Sequence, residues 1–190
     1  MSTEIPAYRI TLKEGDIEIR EYPALVTAEV SVDGDRDAAV REGFRLLAGY
    51  IFGGNDGGRQ IAMTAPVMQQ AQSGTRIAMT APVLQTKVGE SWTVGFVMPA
   101  SWTIDTLPKP NNAKVQLRGV APTRFAALRF SGLAREPDIA QHTARLNTFI
   151  SMHDLKPAGA PTVARYDPPW TLWFMRRNEI LVALEAARRG

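Results

Sequence analysis

Two cations and two apolar residues share one stripe of the first predicted helix. Arg41, Arg45, Ala48 and Phe52 follow the spacing i, i+4, i+7 and i+11, which places them on one helical face. Arginine binds carboxylates through parallel hydrogen bonds, and the small Ala48 leaves room for a flat ring to approach. This face is a candidate site for a planar apolar ligand that carries carboxylates. The alternative is a solvated flank whose arginines pair with acids such as Asp37.

Aromatic residues are concentrated near the carboxyl end of the chain. They lie around Pro168-Pro169 and just before the motif Arg176-Arg177-Asn178-Glu179, and they are Tyr166, Trp170, Trp173 and Phe174. A loop stiffened by prolines and bearing two tryptophans could form one wall of a hydrophobic cleft. In a strand the two arginines would point to opposite faces. We therefore expect one to pair with Glu179 or another acid and the other to be exposed, and a purely structural role for the motif is equally compatible with the sequence.

Composition excludes several kinds of site. The 190 residues include no cysteine, which excludes disulfide scaffolds, zinc ribbons, iron–sulfur clusters, thiolate-ligated haem and cysteine nucleophiles. There is no Gly-x-Ser-x-Gly nucleophile elbow and no phosphate-binding Gly-x-x-x-x-Gly-Lys loop. His142 and His153 could each ligate haem iron, but we expect both to be boundary residues of the second predicted helix. No catalytic group and no metal site are predicted.

From the charge and hydropathy of the chain we expect a cytoplasmic protein. The net charge of +3, from 22 basic and 19 acidic residues, is a mild excess, so we expect no nucleic-acid partner. No window approaches 18 uninterrupted apolar residues, so we expect no membrane span. The amino terminus lacks a basic flank followed by an apolar run, so we expect no secretory signal. The sequence does not specify an oligomeric state.

The candidate residues must be positioned by strands and helices. Period-2 alternation predicts strands over about 8–21 and 24–32, separated at Tyr22-Pro23. A helix is predicted over about 36–52, ended by Gly53-Gly54-Asn55. Its predicted core stripe is Val40, Phe44, Leu47 and Ile51.

The second part of the chain repeats this pattern about 100 residues later. A strand over 124–131 precedes a helix predicted over about 137–152, whose core stripe is Ile139, Thr143, Leu146 and Ile150. A final strand is predicted within 170–184. We expect one domain over 1–190 built from two related halves, about 8–107 and 113–186; the alternative is a chance match of two amphipathic helices.

A heptapeptide is duplicated between the two helices. Ile-Ala-Met-Thr-Ala-Pro-Val occurs at 61–67 and again at 77–83. The Ala-Pro step biases each copy away from helix, so we expect two equivalent strands joined by a loop. Further strands are predicted at 92–98 and 114–118.

Seven short motifs, taken together, are typical of one family. They are IEIREYP (17–23), YIFGGN (50–55), IAMTAPV (61–67 with its copy), FVMP (96–99), FSG (130–132), YDPP (166–169) and RRNE (176–179). In this order, over about 8–184, the chain resembles the SOUL haem-binding protein family. The resemblance implies an α+β fold in which a distorted antiparallel β-barrel is flanked by two α-helices in two pseudo-symmetric halves. The chain is also similar to the wider class of gyrase-inhibitor-like effector-binding domains.

The same resemblance implies where a tetrapyrrole would bind. The ring would lie in a shallow hydrophobic cleft between the first helix and the loop before the RRNE motif. Carried over position by position, Arg41 is a propionate partner, helped by Arg45, and the ring lies over Phe44 and Ala48. The loop contributes the residues around Trp170 and Thr171.

The resemblance implies a non-enzymatic carrier, buffer or sensor of haem or a related tetrapyrrole. Because neither histidine matches an axial-ligand motif, we expect weak and reversible binding. One alternative is an effector-binding or hydrolytic module for another hydrophobic small molecule in a central cleft, using Tyr166 or Glu179. A buried carboxylate with a raised pKa would favour that alternative. Another is a protein-interaction module, which requires Trp170 and Trp173 to be exposed.

Overall fold

The computed structural model describes residues 4–71, 91–167 and 170–186. The second copy of the heptapeptide, at 77–83, and Pro168-Pro169 lie outside the described residues. The strands are β1 (Arg9–Glu14), β2 (Ile17–Tyr22), β3 (Leu25–Asp33), β4 (Val67–Ala71), β5 (Ser91–Val97), β6 (Gln116–Val120), β7 (Thr123–Ser131), β8 (Thr162–Arg165) and β9 (Arg177–Leu184). The helices are α1 (Arg36–Ile51) and α2 (Glu136–Met152), and a short 3₁₀ turn covers Trp173–Met175.

One curled antiparallel sheet of nine strands carries both helices. Its order is β1-β2-β7-β9-β8-β4-β5-β3-β6, so that β1 and β6 form the two edges. The predicted α+β architecture is confirmed as a half-barrel flanked by two helices. Apart from β1, the order is symmetrical about the β8–β4 pair, because β3 and β7 both precede a helix and both pair with the strand that ends their half. This order supports our proposal that the two halves are related by an internal repeat.

The two faces of the sheet differ in what covers them. On the face that we call the helix face, α2 packs over one apolar cluster that includes Ile19, Leu128 and Ile180. On the same face α1 packs over a second cluster that includes Val30 and Val94. The opposite face, which we call the open face, carries a smaller cluster: Ala127, Ala164 and Leu181, with Met68, Phe125 and Tyr166 against it.

Helix α1 is rotated slightly from the orientation that the sequence predicts. Asp35 caps it, since its carboxylate accepts a hydrogen bond from the Ala38 N–H at 3.0 Å. Among its buried residues are Ala39, Gly43, Leu46, Leu47, Tyr50 and Ile51. The predicted core residue Val40 is only half-buried, and Phe44 is 37% exposed. The cause is Gly43, whose missing side chain lets α1 approach Val94 so closely that a Cβ would lie 2.6 Å from the Val94 Cβ.

Helix α2 agrees with its predicted bounds to one residue. Leu146 and Ile150 are buried as expected, and Phe149 joins them. Ile139 packs against the same cluster as a partly buried residue, and Thr143 is half-buried. None of the helices in the described ranges is long and apolar enough to cross a membrane.

Two strand predictions were wrong. The strand predicted over 8–21 is a hairpin, because Gly15 takes a positive φ of 59° in a two-residue turn and Glu14 then pairs with Ile17. The first heptapeptide copy is not a strand until its last residue, Val67. Pro66 has no N–H to donate to a ladder, and the hydroxyl of Thr64 donates to the Val97 carbonyl instead. Strand β8 was not predicted.

Candidate functional site

The outward face of α1 presents the predicted stripe to solvent. Arg41, Arg45 and Phe52 are exposed, and Ala48 is half-buried between them. Phe44 stands edge-on against Phe96 with ring centroids 5.4 Å apart, so that its accessible part belongs to the same surface. The sequence placed Phe44 both in the helix core and under a ligand; the structure places its ring at the boundary, 37% exposed and in contact with the buried Phe96.

The two arginines of this face are not equivalent. Arg45 forms a two-pronged contact with Glu42, with Nη2–Oε1 at 2.7 Å and Nε–Oε2 at 2.9 Å. No acidic side chain of the described residues forms a salt bridge with Arg41. The alternative of a solvated flank whose arginines pair with nearby acids therefore agrees with Arg45, although its partner is Glu42 and not Asp37. Arg41 is the cation of this face that is available to a ligand.

The loop before the RRNE motif exposes an unusual amount of apolar surface. Five of its six residues have large apolar side chains that are 55% to 83% exposed: Trp170, Leu172, Trp173, Phe174 and Met175. Trp173 and Phe174 contact each other edge to face. Thr171 is half-buried, and its carbonyl accepts a hydrogen bond from Arg176 Nε at 2.8 Å. We call residues 170–175 the aromatic loop.

A cavity of about 580 Å³ lies at the start of α1. It is bounded by the first turns of α1, by the segment that leads from β7 into α2, and by Arg165 of β8. Arg41 also lines it, so the cavity adjoins the outward face of α1. We call it the arginine pocket, after its four arginines: Arg36, Arg41, Arg135 and Arg165.

Both histidines belong to α2 or its end and are engaged there. His142 stacks on Phe130 with ring centroids 4.3 Å apart. His153 contacts Phe149, and its Nε2 lies 3.2 Å from a carboxylate oxygen of Glu14. Neither contact involves α1 or the aromatic loop. No group of three His, Asp or Glu side chains within the described ranges is placed to hold a metal ion.

A buried charged cluster occupies the open face. Glu179 is fully buried and accepts hydrogen bonds from Arg20 Nη1 at 2.7 Å and Nη2 at 3.0 Å. It also accepts from the Tyr166 hydroxyl at 2.6 Å and from Arg177 Nη2 at 2.7 Å. Burial alone would raise the pKa of Glu179, but the hydrogen bonds and charge of Arg20, with Tyr166 and Arg177, hold it below its usual value. The expectation that one arginine of the motif pairs with Glu179 agrees with the contact of Arg177. The expectation that the other is exposed was wrong, because Arg176 is half-buried and donates to the Thr171 carbonyl.

A central cavity of about 360 Å³ opens beside this cluster. Tyr22, Met68, Phe125 and Tyr166 line it, together with Ala183 of β9. Burial first, and then the charge of Glu179, raise the pKa of Tyr166. The phenol is thus a hydrogen-bond donor to a carboxylate that stays ionised. This is the opposite of the raised carboxyl pKa that would favour chemistry in the central cleft.

Comparison with known families decides the identity of the fold. The model of the SOUL heme-binding protein family matches residues 3–183. The chain belongs to this family. Heme-binding protein 1 of Xenopus laevis is 26% identical to this SOUL protein over 164 residues, which are 86% of this chain and 80% of the relative.

Solved structures share the fold at low identity. The C-terminal domain of EcmrR has a TM-score of 0.62 and 10% identity, and the match covers 95% of this SOUL protein and 99% of that domain. A structure described as a hydrolase from Listeria innocua has a TM-score of 0.61 and 12% identity, with 92% and 94% covered. At this level of identity the likeness establishes the architecture alone.

Three arginines of the arginine pocket were missed in the sequence, among them Arg135, which directly precedes α2. Arg36 was assigned only as the start of a helix, and Arg165 lies on the strand β8 that was not predicted. The available signal was the short run Thr-Val-Ala-Arg at 162–165, in which Val163 and Arg165 fall on the helix face by alternation. A charged residue on the face that packs against helices indicates a partner or a ligand.

Proposed function

We propose that this SOUL protein binds haem or a related tetrapyrrole on a surface formed by the outward face of α1 and the aromatic loop. The observation that carries this proposal is the exposure of five large apolar side chains in six consecutive residues of the loop. A patch of this kind on a soluble domain marks a site where an apolar partner is buried. Family membership indicates that the partner is a tetrapyrrole.

The residues present fit such a ligand. Phe44 and Ala48 offer an apolar platform with one small position, and Trp170 adds a flat indole that is 83% exposed. Removing apolar surface from water supplies most of the affinity, at about 25 cal/mol per Å². Arg41, which has no acidic partner in the described part of the chain, orients a propionate. Arg45 contributes less, because it is already hydrogen-bonded to Glu42. Thr171 contributes to the shape of the loop, since its carbonyl is held in place by a hydrogen bond from Arg176.

The proposed role is a non-enzymatic carrier, buffer or sensor that holds its ligand weakly and reversibly. Haem supplies iron and a conjugated ring to such a complex, and the protein supplies the apolar surface and the cation. Both histidines are held on α2 by other contacts, which supports binding without a strong axial ligand. The proposed partner is a small molecule and not a nucleic acid.

Titration with haem, followed in the Soret region, tests this proposal. The wild type should give a saturable change, and Arg41→Glu should weaken binding by about tenfold or more, since a charge-assisted hydrogen bond is lost and a repulsion is added. Arg129→Gln is the matched control, because Arg129 is exposed on β7 and lines neither the arginine pocket nor the central cavity. Absence of saturable binding by the wild type at micromolar protein would refute the proposal.

The central cavity supports a second candidate, an effector-binding module for another hydrophobic small molecule. Its aromatic and methionine lining is suited to an apolar ligand. The variant Ala183→Phe, which fills part of this cavity, separates the two candidates. Haem binding on the outer surface should be unchanged in this variant, whereas a ligand that uses the central cavity should be excluded.

A further inference from the structure

The arginine pocket contains guanidinium groups whose hydrogen bonds are incomplete. Arg36 is only 9% exposed; its Nη1 donates to the Ala134 carbonyl at 3.2 Å and lies 3.2 Å from a carboxylate oxygen of Glu136. Its Nη2 is buried and has no hydrogen-bond partner among the described residues. A buried donor of this kind costs roughly 1–3 kcal/mol when it is unsatisfied, so the site is suited to an acceptor that the protein does not provide.

Arg165, which lines the same pocket from β8, also has an unsatisfied hydrogen-bond donor. Its Nε is buried and without a partner in the described part of the chain. Burial first, and then the charge of Arg36, lower the pKa of Arg165, whereas Asp37 acts in the other direction. Two guanidinium groups that repel each other across one cavity are stabilised together by an anion placed between them.

The charge that lines the pocket is not balanced by its own acids. Four arginines face three acids, Asp35, Asp37 and Glu136, so the net charge of the lining is +1. Asp35 is already used to cap α1, and Glu136 is paired with Arg36. The amino end of α1 adds a partial positive charge at the same place. The pocket therefore favours an anionic group over a neutral one.

Arg41 connects this pocket to the proposed ring-binding surface. It lines the pocket and begins the stripe that continues through Ala48, seven residues further along and therefore about 10 Å away along the helix axis. A flat ring that lies over Phe44 and Ala48 would extend one edge toward the pocket. Carboxylates at the ring edge are the acceptors that the unsatisfied donors lack.

We infer that the arginine pocket receives a carboxylate of the bound tetrapyrrole, with Arg165 and Arg36 donating to it and Arg41 at its entrance. This inference rests on the proposed function and extends it to two residues outside the surface described above. It also defines a class of ligand. Tetrapyrroles with free carboxylates should bind better than their esters.

The test compares haem with haem dimethyl ester on the full chain. Arg165→Gln is the informative variant, because Arg36 also holds the start of α2, and Arg129→Gln is the control. Loss of a charge-assisted hydrogen bond should weaken haem binding about tenfold in Arg165→Gln, with less than about twofold change for the ester. Thermal unfolding without ligand should show Arg165→Gln folded, since the removed charge is desolvated and its Nε has no partner among the described residues. If it is not folded, Arg165→Met, which also removes the cation, takes its place in the comparison.

The outcomes separate the inference from the proposed function. Equal haem affinity in Arg165→Gln and the wild type overturns the inference and leaves the proposed function standing. An equal loss of haem and of ester also overturns it, because Arg165 would then act on something other than a carboxylate. No binding of either ligand by the wild type refutes the proposed function itself.

Discussion

The substitution Glu179→Gln perturbs the most completely buried charge of the fold. Glu179 is fully buried, and its strongest partner, Arg20, is only 2% exposed. The amide keeps the shape of the side chain but removes the negative charge. Arg20 then keeps one carboxylate partner, Glu18, which accepts from its Nε at 2.8 Å. The Arg177 guanidinium loses its contact with the Glu179 carboxylate, and the Tyr166 hydroxyl loses an ionised acceptor.

The magnitude follows from the burial of the pair. Removing one partner of a buried ion pair costs about 3–5 kcal/mol when the remaining charge is left without compensation. Because Glu18 still neutralises part of the charge of Arg20, we expect the lower end of this range, about 3 kcal/mol. A domain of this kind unfolds with about 5–15 kcal/mol in total, so the loss is a large share of its stability. The measurement is the free energy of unfolding from urea titration at neutral pH. Glu21→Gln is the control, since the Arg9–Glu21 contact is exposed and should contribute little.

The pH dependence of the same variant gives a second measurement. The folded-state pKa of Glu179 lies below the value of an unfolded carboxyl, so its contribution is fully present above that unfolded value and is lost as the pH falls through the folded one. Wild-type stability should therefore decrease in acid below about pH 4.5, whereas Glu179→Gln should show a smaller decrease there. A loss under about 1 kcal/mol at neutral pH, or equal acid sensitivity in both proteins, would refute this account of the cluster.

Three further substitutions test how α1 is packed and how it ends. Gly43→Ala should destabilise the protein by about 1–3 kcal/mol, because the new Cβ would overlap Val94. Gly49→Ala on the same helix is the control: its Cβ meets no atom within 4 Å, and it should stabilise the protein by up to about 1 kcal/mol. Thermal unfolding of the two variants measures the difference, and equal effects would contradict the close approach of α1 to Val94. Asn55→Ala should cost about 3 kcal/mol in urea unfolding, because the buried amide donates to the Tyr50 carbonyl and makes two hydrogen bonds with the Arg59 backbone. An unchanged midpoint of urea unfolding would contradict the conclusion that these hydrogen bonds of Asn55 stabilise the turn after α1.

Periodicity predicted the helices better than the strands. The apolar repeat of α2 fixed its bounds to one residue, because the helix is long and its stripe faces a single sheet. The hairpin of β1 and β2 was missed although the sequence indicates it: the apolar residues change parity from Ile10 and Leu12 to Ile17 and Ile19 across Gly15-Asp16, a dipeptide typical of a two-residue turn. Strand β8 is four residues long, too short for its alternation to be distinguished from a loop.

The candidate site was predicted in part, and the reason is geometric. The outward stripe of α1 and the aromatic loop could be identified because both are local features of the sequence. The choice between Arg41 and Arg45 required the position of Glu42, and the assignment of Phe44 required the rotation that Gly43 permits. Arg165 is distant from α1 in sequence, so only the fold brings it to the start of that helix.

A crystal structure of the protein grown with haem is the most direct test of where the ligand binds. The account predicts a macrocycle in contact with Phe44 and Ala48, covered by the indole of Trp170, with its carboxylate edge at Arg41. A macrocycle in the central cavity beside Tyr166, or on a surface formed without α1, would contradict it.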